Sequence, residues 1–362
     1  MRIASYNLNN LFQRASLLQL EGFSKKAAAV LNDISSLNQL LEKDSYDGKA
    51  GAEIIKLLKK YFLSKEANKW FIINQVRGKL YSISKDKKSI NLKAKGKDGW
   101  LGWIELVKEE VNEQSTQNTA RVINEVAADV MCVVEVESRI ALGKFNKELL
   151  DSRSFKHVMV IDGNDDRGID VGILSNSEIK SITCHVDDTY KDDAGRKQLV
   201  FSRDCPEYEI TLQSGIKLYM LCNHLKSKGY GTPQSSDKKR KRQSKRVSDI
   251  LAAKYNLEKD YVVVAGDFND TPSSDALGPL LKHPGLFNTF DKLAGPHWTY
   301  ETGKEQIDYI LVSKALFEKQ TSVGIEPRGI YSKKKGYVPF KEVTSKVNQA
   351  SDHAAIWAEF NI

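Results

Sequence analysis

Six apolar runs of this 362-residue chain carry or adjoin acids, amides and histidines in positions where a sheet would aim them into one crevice. The first run passes Asn7 and Asn9, and the second ends in Glu135-Val136-Glu137. Others end in Asn223-His224 and in Gly266-Asp267-Phe268-Asn269; another contains Asp308, and the last follows Ser351-Asp352-His353. Three or four carboxylates gathered in one place repel and raise each other's pKa. A divalent cation removes that conflict. Oxygen donors without a thiolate suit Mg²⁺ or Mn²⁺ better than zinc. Two histidines beside such a centre can steady a phosphate oxygen or carry a proton.

The elements that must position these groups change character along the chain. A first strand ends near Leu11-Phe12. Residues 13–113 read as an inserted, mostly helical cap. Phe23–Leu41 and Ile54–Phe62 have helical spacing, Trp70–Ile73 and Leu80–Ile83 look like short strands that Ser89–Lys95 joins, and Trp100 and Trp103 lead into another helix. From residue 114 the pattern is of many strands with interleaved helices. Strands are expected at Val130–Val134, Val158–Ile161, Ile169–Leu174, Tyr208–Leu212, Ile216–Cys222, Tyr261–Ala265, Ile307–Val312 and Ala354–Phe360, and helices at Lys245–Tyr255 and Ser274–Leu281. Stacked sheets clothed by helices follow.

Seven short motifs, taken in order, resemble the endonuclease/exonuclease/phosphatase superfamily. They are Ser5-Tyr6-Asn7-Leu8-Asn9, Val133–Glu137, Arg167-Gly168-Ile169-Asp170-Val171-Gly172, Asn223-His224-Leu225-Lys226-Ser227-Lys228, Gly266–Asp270, Gln306-Ile307-Asp308-Tyr309 and Ser351-Asp352-His353. The Asn-His-Leu-Lys-Ser-Lys stretch and Phe201–Cys205 are most similar to the bacterial nuclease branch. The resemblance implies an α/β fold, a four-layer α/β/β/α sandwich of two packed mixed sheets, formed by residues 1–12 and 114–362. Val134 stands where many relatives carry Gln, and the insertion lies outside the family pattern.

What the resemblance implies for single residues is specific. Glu135 is the foremost metal ligand, with Asn7, Asn9 and Asp352 completing the sphere of a Mg²⁺ (or Mn²⁺) ion. Asp267 orients or deprotonates the attacking water and Asn269 positions it. Asp308 holds His353, which steadies the pentacovalent phosphate, and His224 serves the phosphate or leaving group, with Asp170 as its candidate holder. Arg167, Asn223, Lys226, Lys228 and Arg242 are expected to hold substrate. Hydrolysis would leave a 5′-phosphate and a 3′-hydroxyl.

Bulk properties narrow the partner. The formal charge is +8, which favours acidic partners such as phosphate polymers. A basic run, Lys238–Arg242 with Lys245-Arg246, reads as a loop that contacts phosphate backbone. Nucleic acid is therefore the expected substrate, DNA ahead of RNA. No apolar run nears the ~18 residues of a membrane span, and the N-terminus begins directly as a strand, so a cytoplasmic protein is expected. The four cysteines are widely spaced, which argues against disulfides or zinc. Two alternatives stay open: an inositol-phosphate or lipid phosphoesterase of the same superfamily, and a silent scaffold. The insertion could also meet a protein partner.

Overall fold

The computed structural model describes residues 1–15, 25–64, 67–150, 153–165, 168–228, 232–332 and 336–362. The chain divides into two compact units. Met1–Gln13, Val111–Lys228 and Thr232–Ile362 form the larger, and Arg14–Glu110 make up the body of the smaller.

The chain opens with β1 (Arg2–Asn7) and then enters the smaller unit, which holds α1 (Lys25–Leu41), α2 (Lys49–Phe62) and three small strand pairs. These are β2 (Gln13–Ala15) with β7 (Lys108–Glu110), β3 (Phe71–Arg77) with β6 (Leu101–Leu106), and β4 (Tyr81–Ile83) with β5 (Ile90–Leu92). The helix expected after Trp100 is instead strand β6. There Ile104 and Leu106 are buried while Leu101 and Trp103 are exposed, a two-residue period that overrides local helix preference.

The larger unit contains two six-stranded sheets. The first is ordered β19 (Gln320–Glu326), β20 (Ala355–Phe360), β1, β8 (Val130–Val136), β10 (Asp170–Ser175), β9 (His157–Ile161). The second runs β11 (Glu178–Thr183), β14 (Glu207–Thr211), β15 (Lys217–His224), β16 (Tyr261–Asp267), β18 (Asp308–Ser313), β17 (Leu286–Asn288). A separate hairpin pairs β12 (Thr189–Lys191) with β13 (Lys197–Leu199). Each sheet has one parallel pair at its middle, β1 with β8 and β15 with β16, and antiparallel neighbours outside it.

Side-chain alternation builds the layers. Ile3, Cys132, Val134 and Ile173 of the first sheet pack on Met220, Cys222, Val263 and Ile310 of the second. The opposite face of the first sheet meets α3 (Glu113–Val126) and α4 (Arg139–Leu149), through Tyr6, Val133, Ile123 and Phe145. Leu221, Val264 and Leu311 of the second sheet meet Val247 and Leu251 of α5 (Pro233–Lys254), with the short helix α6 (Gly278–Leu281) beside it. The four-layer α/β/β/α arrangement is thus as expected. A last turn, α7 (Lys314–Phe317), follows β18. Among the described residues no helix is long and apolar enough to cross a membrane, and all four cysteines are free thiols.

The basic run is not a loop. Thr232 caps α5 by accepting from the Ser235 backbone N–H, and Pro233 opens the helix, so Lys238–Arg242 are helical. Arg240 is wholly buried and ion-pairs with Asp270 at 2.9 Å and with Asp237, while donating to the Lys226 carbonyl. It therefore ties the chain after His224 to the chain after Asp267. Arg240→Ala leaves Asp270 buried against a lost cation. We expect a loss of about 3–5 kcal/mol of stability, read by urea unfolding; a change within error would show that the pair does not hold these segments.

Candidate active site

Parity on the strands decides which polar residues meet. Asn7, His224, Asp267 and Asp308 share the side-chain parity of Ile3, Cys222, Ala265 and Ile310, so they close the end of the layer between the sheets. Glu135 has the opposite parity, which would send it toward α3 and α4. A bulge corrects this. Asp170 pairs with Val136 and Val171 with Val134, leaving Glu135 unpaired at φ 60°. Its carboxylate Oε1 comes to 3.7 Å from His224 Nε2.

The residues after β1 and β16 repeat one local design. The Asn7 side-chain oxygen accepts from Asn9 N–H at 2.9 Å, and Asp267 Oδ1 accepts from Asn269 N–H at 2.8 Å. Leu8 and Phe268 between them are fully buried, while Asn9 (φ 50°) and Asn269 (φ 56°) are left-handed. Asparagine tolerates that region better than other side chains. Gly266, at φ 137°, admits no Cβ, which would lie 1.8 Å from the Asn223 carbonyl oxygen of the neighbouring parallel strand.

Asp267 is the hub. Its Oδ2 lies 3.2 Å from Asn7 Nδ2, 3.1 Å from Asn269 Nδ2, 3.6 Å from His224 Nε2 and 3.8 Å from His353 Nε2. Burial pushes its carboxyl up to about 7, with His353 opposing and Asp308 and Glu135 adding to the rise. His353 Nδ1 contacts Asp308 Oδ2 at 2.9 Å, and its Nε2 lies 4.0 Å from Asp352. Burial alone would lower the His353 pKa, but the charges of Asp308 and Asp267 override it and hold the imidazole well above its usual range.

The expected residues do not all arrive. Asn7, Asn9, Glu135, His224, Asp267, Asn269, Asp308, Asp352 and His353 gather at one end of the two sheets. Asn223 does not: it has the parity of Leu221, faces the α5 side, and its amide donates to the Leu221 carbonyl at 3.2 Å. Arg242 is turned to Tyr190, its guanidinium 4.2 Å from the ring. Lys226 bonds Gln243 through its backbone N–H, and exposed Lys228 pairs with Asp270 at 2.7 Å. Asp170 accepts from Gly163 N–H at 2.8 Å, whereas the carboxylates beside His224 Nε2 are Glu135 and Asp267. Arg167 lies outside the described residues.

Two participants, Thr299 and Tyr300, escape a reading of the sequence, and a third, Ser351, stands in a sequence motif that assigns it no role. Ser351 donates its hydroxyl to the Asn7 carbonyl at 2.7 Å and accepts from His353 N–H, clamping the two chain segments together. Thr299 accepts from the backbone N–H groups of Ile307 and Asp308. Tyr300 forms an isolated bridge with His353 and packs edge-on to its ring at 5.1 Å. Burial raises the Tyr300 pKa, and Asp352, Glu301, Asp267 and Glu135 raise it further, which places the phenol in the same acidic field. Single bridges leave no periodic signal in sequence.

A cation fits this chemistry. Asp267, Asp308 and His353 bring possible ligand atoms within 4.8 Å of one another. The Asp308–His353 hydrogen bond already occupies that pair, however, and an imidazole held protonated repels a cation. The more accessible carboxylates Glu135 and Asp352 are better donors, and Asp267, raised chiefly by burial with Asp308 and Glu135 adding to it, lies in the same acidic cluster. Asp308 Oδ1 is also buried without a hydrogen-bond partner among the described residues.

Carboxylates, amides and two histidines gathered in this way can bind a cation and a phosphate, and a family comparison bears on that chemistry. The endonuclease/exonuclease/phosphatase family model matches residues 110–353, and the chain belongs to that family. Its members' phosphoester-hydrolase fold recurs in solved structures. One is an endonuclease/exonuclease/phosphatase from Bacteroides vulgatus, 16% identical over 69% of this chain and 92% of that one, with a TM-score of 0.50. A mannosyl-6-phosphatase of Bacteroides thetaiotaomicron is 13% identical over the same shares, also at 0.50. Truncated TDP2 of Caenorhabditis elegans is 18% identical over 69% of this chain and 91% of that one, at 0.46. At these identities the likeness to the two Bacteroides structures is one of fold. No curated protein sequence matches the chain.

Proposed function

We propose that this protein is a divalent-metal-dependent nuclease that hydrolyses a phosphodiester by in-line attack of water, with DNA preferred to RNA. The convergence of Asn7, His224, Asn269 and His353 on the one carboxylate of Asp267 carries this reading. A carboxylate raised to about 7 is a stronger base than an ordinary aspartate and still ionises near neutral pH. Asp267 takes the proton of the attacking water, while the Asn7 and Asn269 amides fix its orientation. His353, kept protonated by Asp308, donates to a phosphoryl oxygen as charge develops there. His224 stands beside Glu135 for the leaving-group side. Glu135, with Asn7, Asn9 and Asp352, would hold Mg²⁺ or Mn²⁺, which when bound offsets charge on the phosphate and the leaving oxygen.

A polyanionic substrate is in keeping with the formal net charge of +8; the cavity of about 650 Å³ next to Asp270 sets Lys228, Lys238 and Lys241 against Asp237, Asp270 and Asp275. Incubation with supercoiled plasmid, linear duplex and single-stranded oligonucleotides, in Mg²⁺, Mn²⁺ or EDTA, tests the reading. Metal-dependent cutting that Asp267→Ala and His353→Ala abolish supports it. Release of phosphate from sugar phosphates or inositol phosphates, with every nucleic acid left intact, replaces it by a phosphatase.

Metal affinity should depend on pH in a defined direction. A protonated Asp267 withdraws negative charge from the cation site, so Mg²⁺ binding weakens as pH falls through about 7. If one proton is displaced, affinity drops about tenfold per pH unit below that point. Titration calorimetry between pH 6 and 8 reads the slope; a flat profile removes Asp267 from the cation's field.

A further inference from the structure

The smaller unit carries nearly all of the chain's net charge. Residues 14–110 hold nineteen lysines and arginines against twelve aspartates and glutamates, a net +7 of the formal +8. The unit has its own apolar core, with Leu57, Leu58, Phe71, Ile73 and Ile104 among its members.

One face of this unit departs from ordinary packing. In the β3/β6 pair, Ile73 lies opposite Ile104 and Asn74 opposite Trp103. Phe71, Ile73, Ile104 and Leu106 enter the core, so alternation turns Ile72, Asn74, Trp103 and Glu105 outward. Leu101 and Val76 are outside as well. Exposure is 36% at Ile72, 51% at Leu101, 52% at Trp103 and 63% at Val76. Single exposed apolar residues are commonplace, but four on one two-stranded sheet mark a contact surface. Exposed Arg77 follows Val76 directly, and exposed Lys79 lies two residues further on.

The partner must offer negative charge together with flat apolar surface. Unpaired nucleic acid has both, since its bases stack on aromatic rings while its phosphates meet cations. A duplex keeps its base faces stacked inside. An anionic bilayer would require this face to take Asn74 and Glu105, hydrogen-bonded to each other at 2.6 Å, out of water. The same two groups are well suited to base edges. We propose that the outward face of the β3/β6 pair binds single-stranded nucleic acid, with a base stacked on Trp103 and phosphates on Arg77 and Lys79. This rests on the nuclease reading and names the form of nucleic acid that is held.

The test is anisotropy of a fluorescein-labelled oligothymidylate against the full chain in EDTA, where no cutting intervenes. Trp103→Ala should weaken binding about tenfold or more, with Trp103→Phe keeping most of it. Arg77→Ser with Lys79→Ser should reduce the slope of log K against log salt by about 1.4, at ~0.7 per phosphate. Trp103 is exposed, so its replacement opens no core. Unchanged affinity in Trp103→Ala overturns the proposal. So does binding to phosphatidylglycerol vesicles, or a concentration-dependent dimer, in place of oligonucleotide binding. Cutting is scored separately in Mg²⁺. Cutting with Trp103-independent binding removes only this surface, whereas Trp103-dependent binding without any cutting removes only the nuclease reading.

Discussion

Asp267→Asn is expected to lower kcat by about 10²–10⁴-fold, the range a positioned base contributes. KM should change much less. The amide keeps the size of the carboxyl and can still meet Asn269, but it cannot take a proton. A second readout separates this role from a structural one. The folded-state pKa of Asp267 is raised to about 7 from an ordinary value of 3.8. A carboxyl raised in this way binds more protons folded than unfolded between those values, so its charge costs stability as pH rises through that window. Above pH 7 the metal-free Asp267→Asn protein should therefore melt higher than the unaltered one, and the gap should narrow as pH falls toward 4. Lost activity with a lower melting temperature at pH 8 would mark Asp267 as a scaffold residue.

His353→Ala should cost activity on a similar scale, about 10²–10⁴-fold, because the group facing the phosphate is removed outright. Asp308→Asn is the more informative change. The imidazole is held protonated by Asp308 and Asp267 against burial, which acts the other way. Without the Asp308 charge its pKa falls, and the protonated fraction is lost at a lower pH. The alkaline limb of the kcat profile should move down in Asp308→Asn, with lower activity at pH 8 than at pH 6.5 relative to the unaltered enzyme. An alkaline limb that stays in place would assign the proton donor elsewhere, with His224 the next residue to replace.

Much of this site is legible in the sequence. Strand runs such as Val130–Val134 and Tyr261–Ala265 are apolar and mostly β-branched or small, and they stop on Glu135 and Asp267, so their ends are visible as a pattern. The failures have physical causes. Helix α5 begins twelve residues before the Lys245 start that the sequence pattern suggests: a run of lysine and arginine resembles a solvated loop, but those residues favour helix and Thr232-Pro233 supplies its beginning. The sequence does not set Arg240 apart from the rest of the basic run, yet it alone of Lys238–Arg242 is fully buried. Asn223 adjoins His224 in sequence, but adjacent strand residues point to opposite faces.

Residue types and order alone establish the family, the two-sheet sandwich, and a set of acids, amides and histidines suited to a hard cation and a phosphate. They do so because local periodicity and strand-end chemistry are written residue by residue. Only tertiary structure decides which of those groups meet. The bulge at Glu135 reverses the direction of one carboxylate, and the layer between the sheets makes Asp267 the hub. Ser351 and Tyr300 join the site through contacts between chain segments far apart in sequence, and Thr299 through a turn back onto Ile307 and Asp308. Such choices depend on register and packing between sheets, which no local spacing encodes.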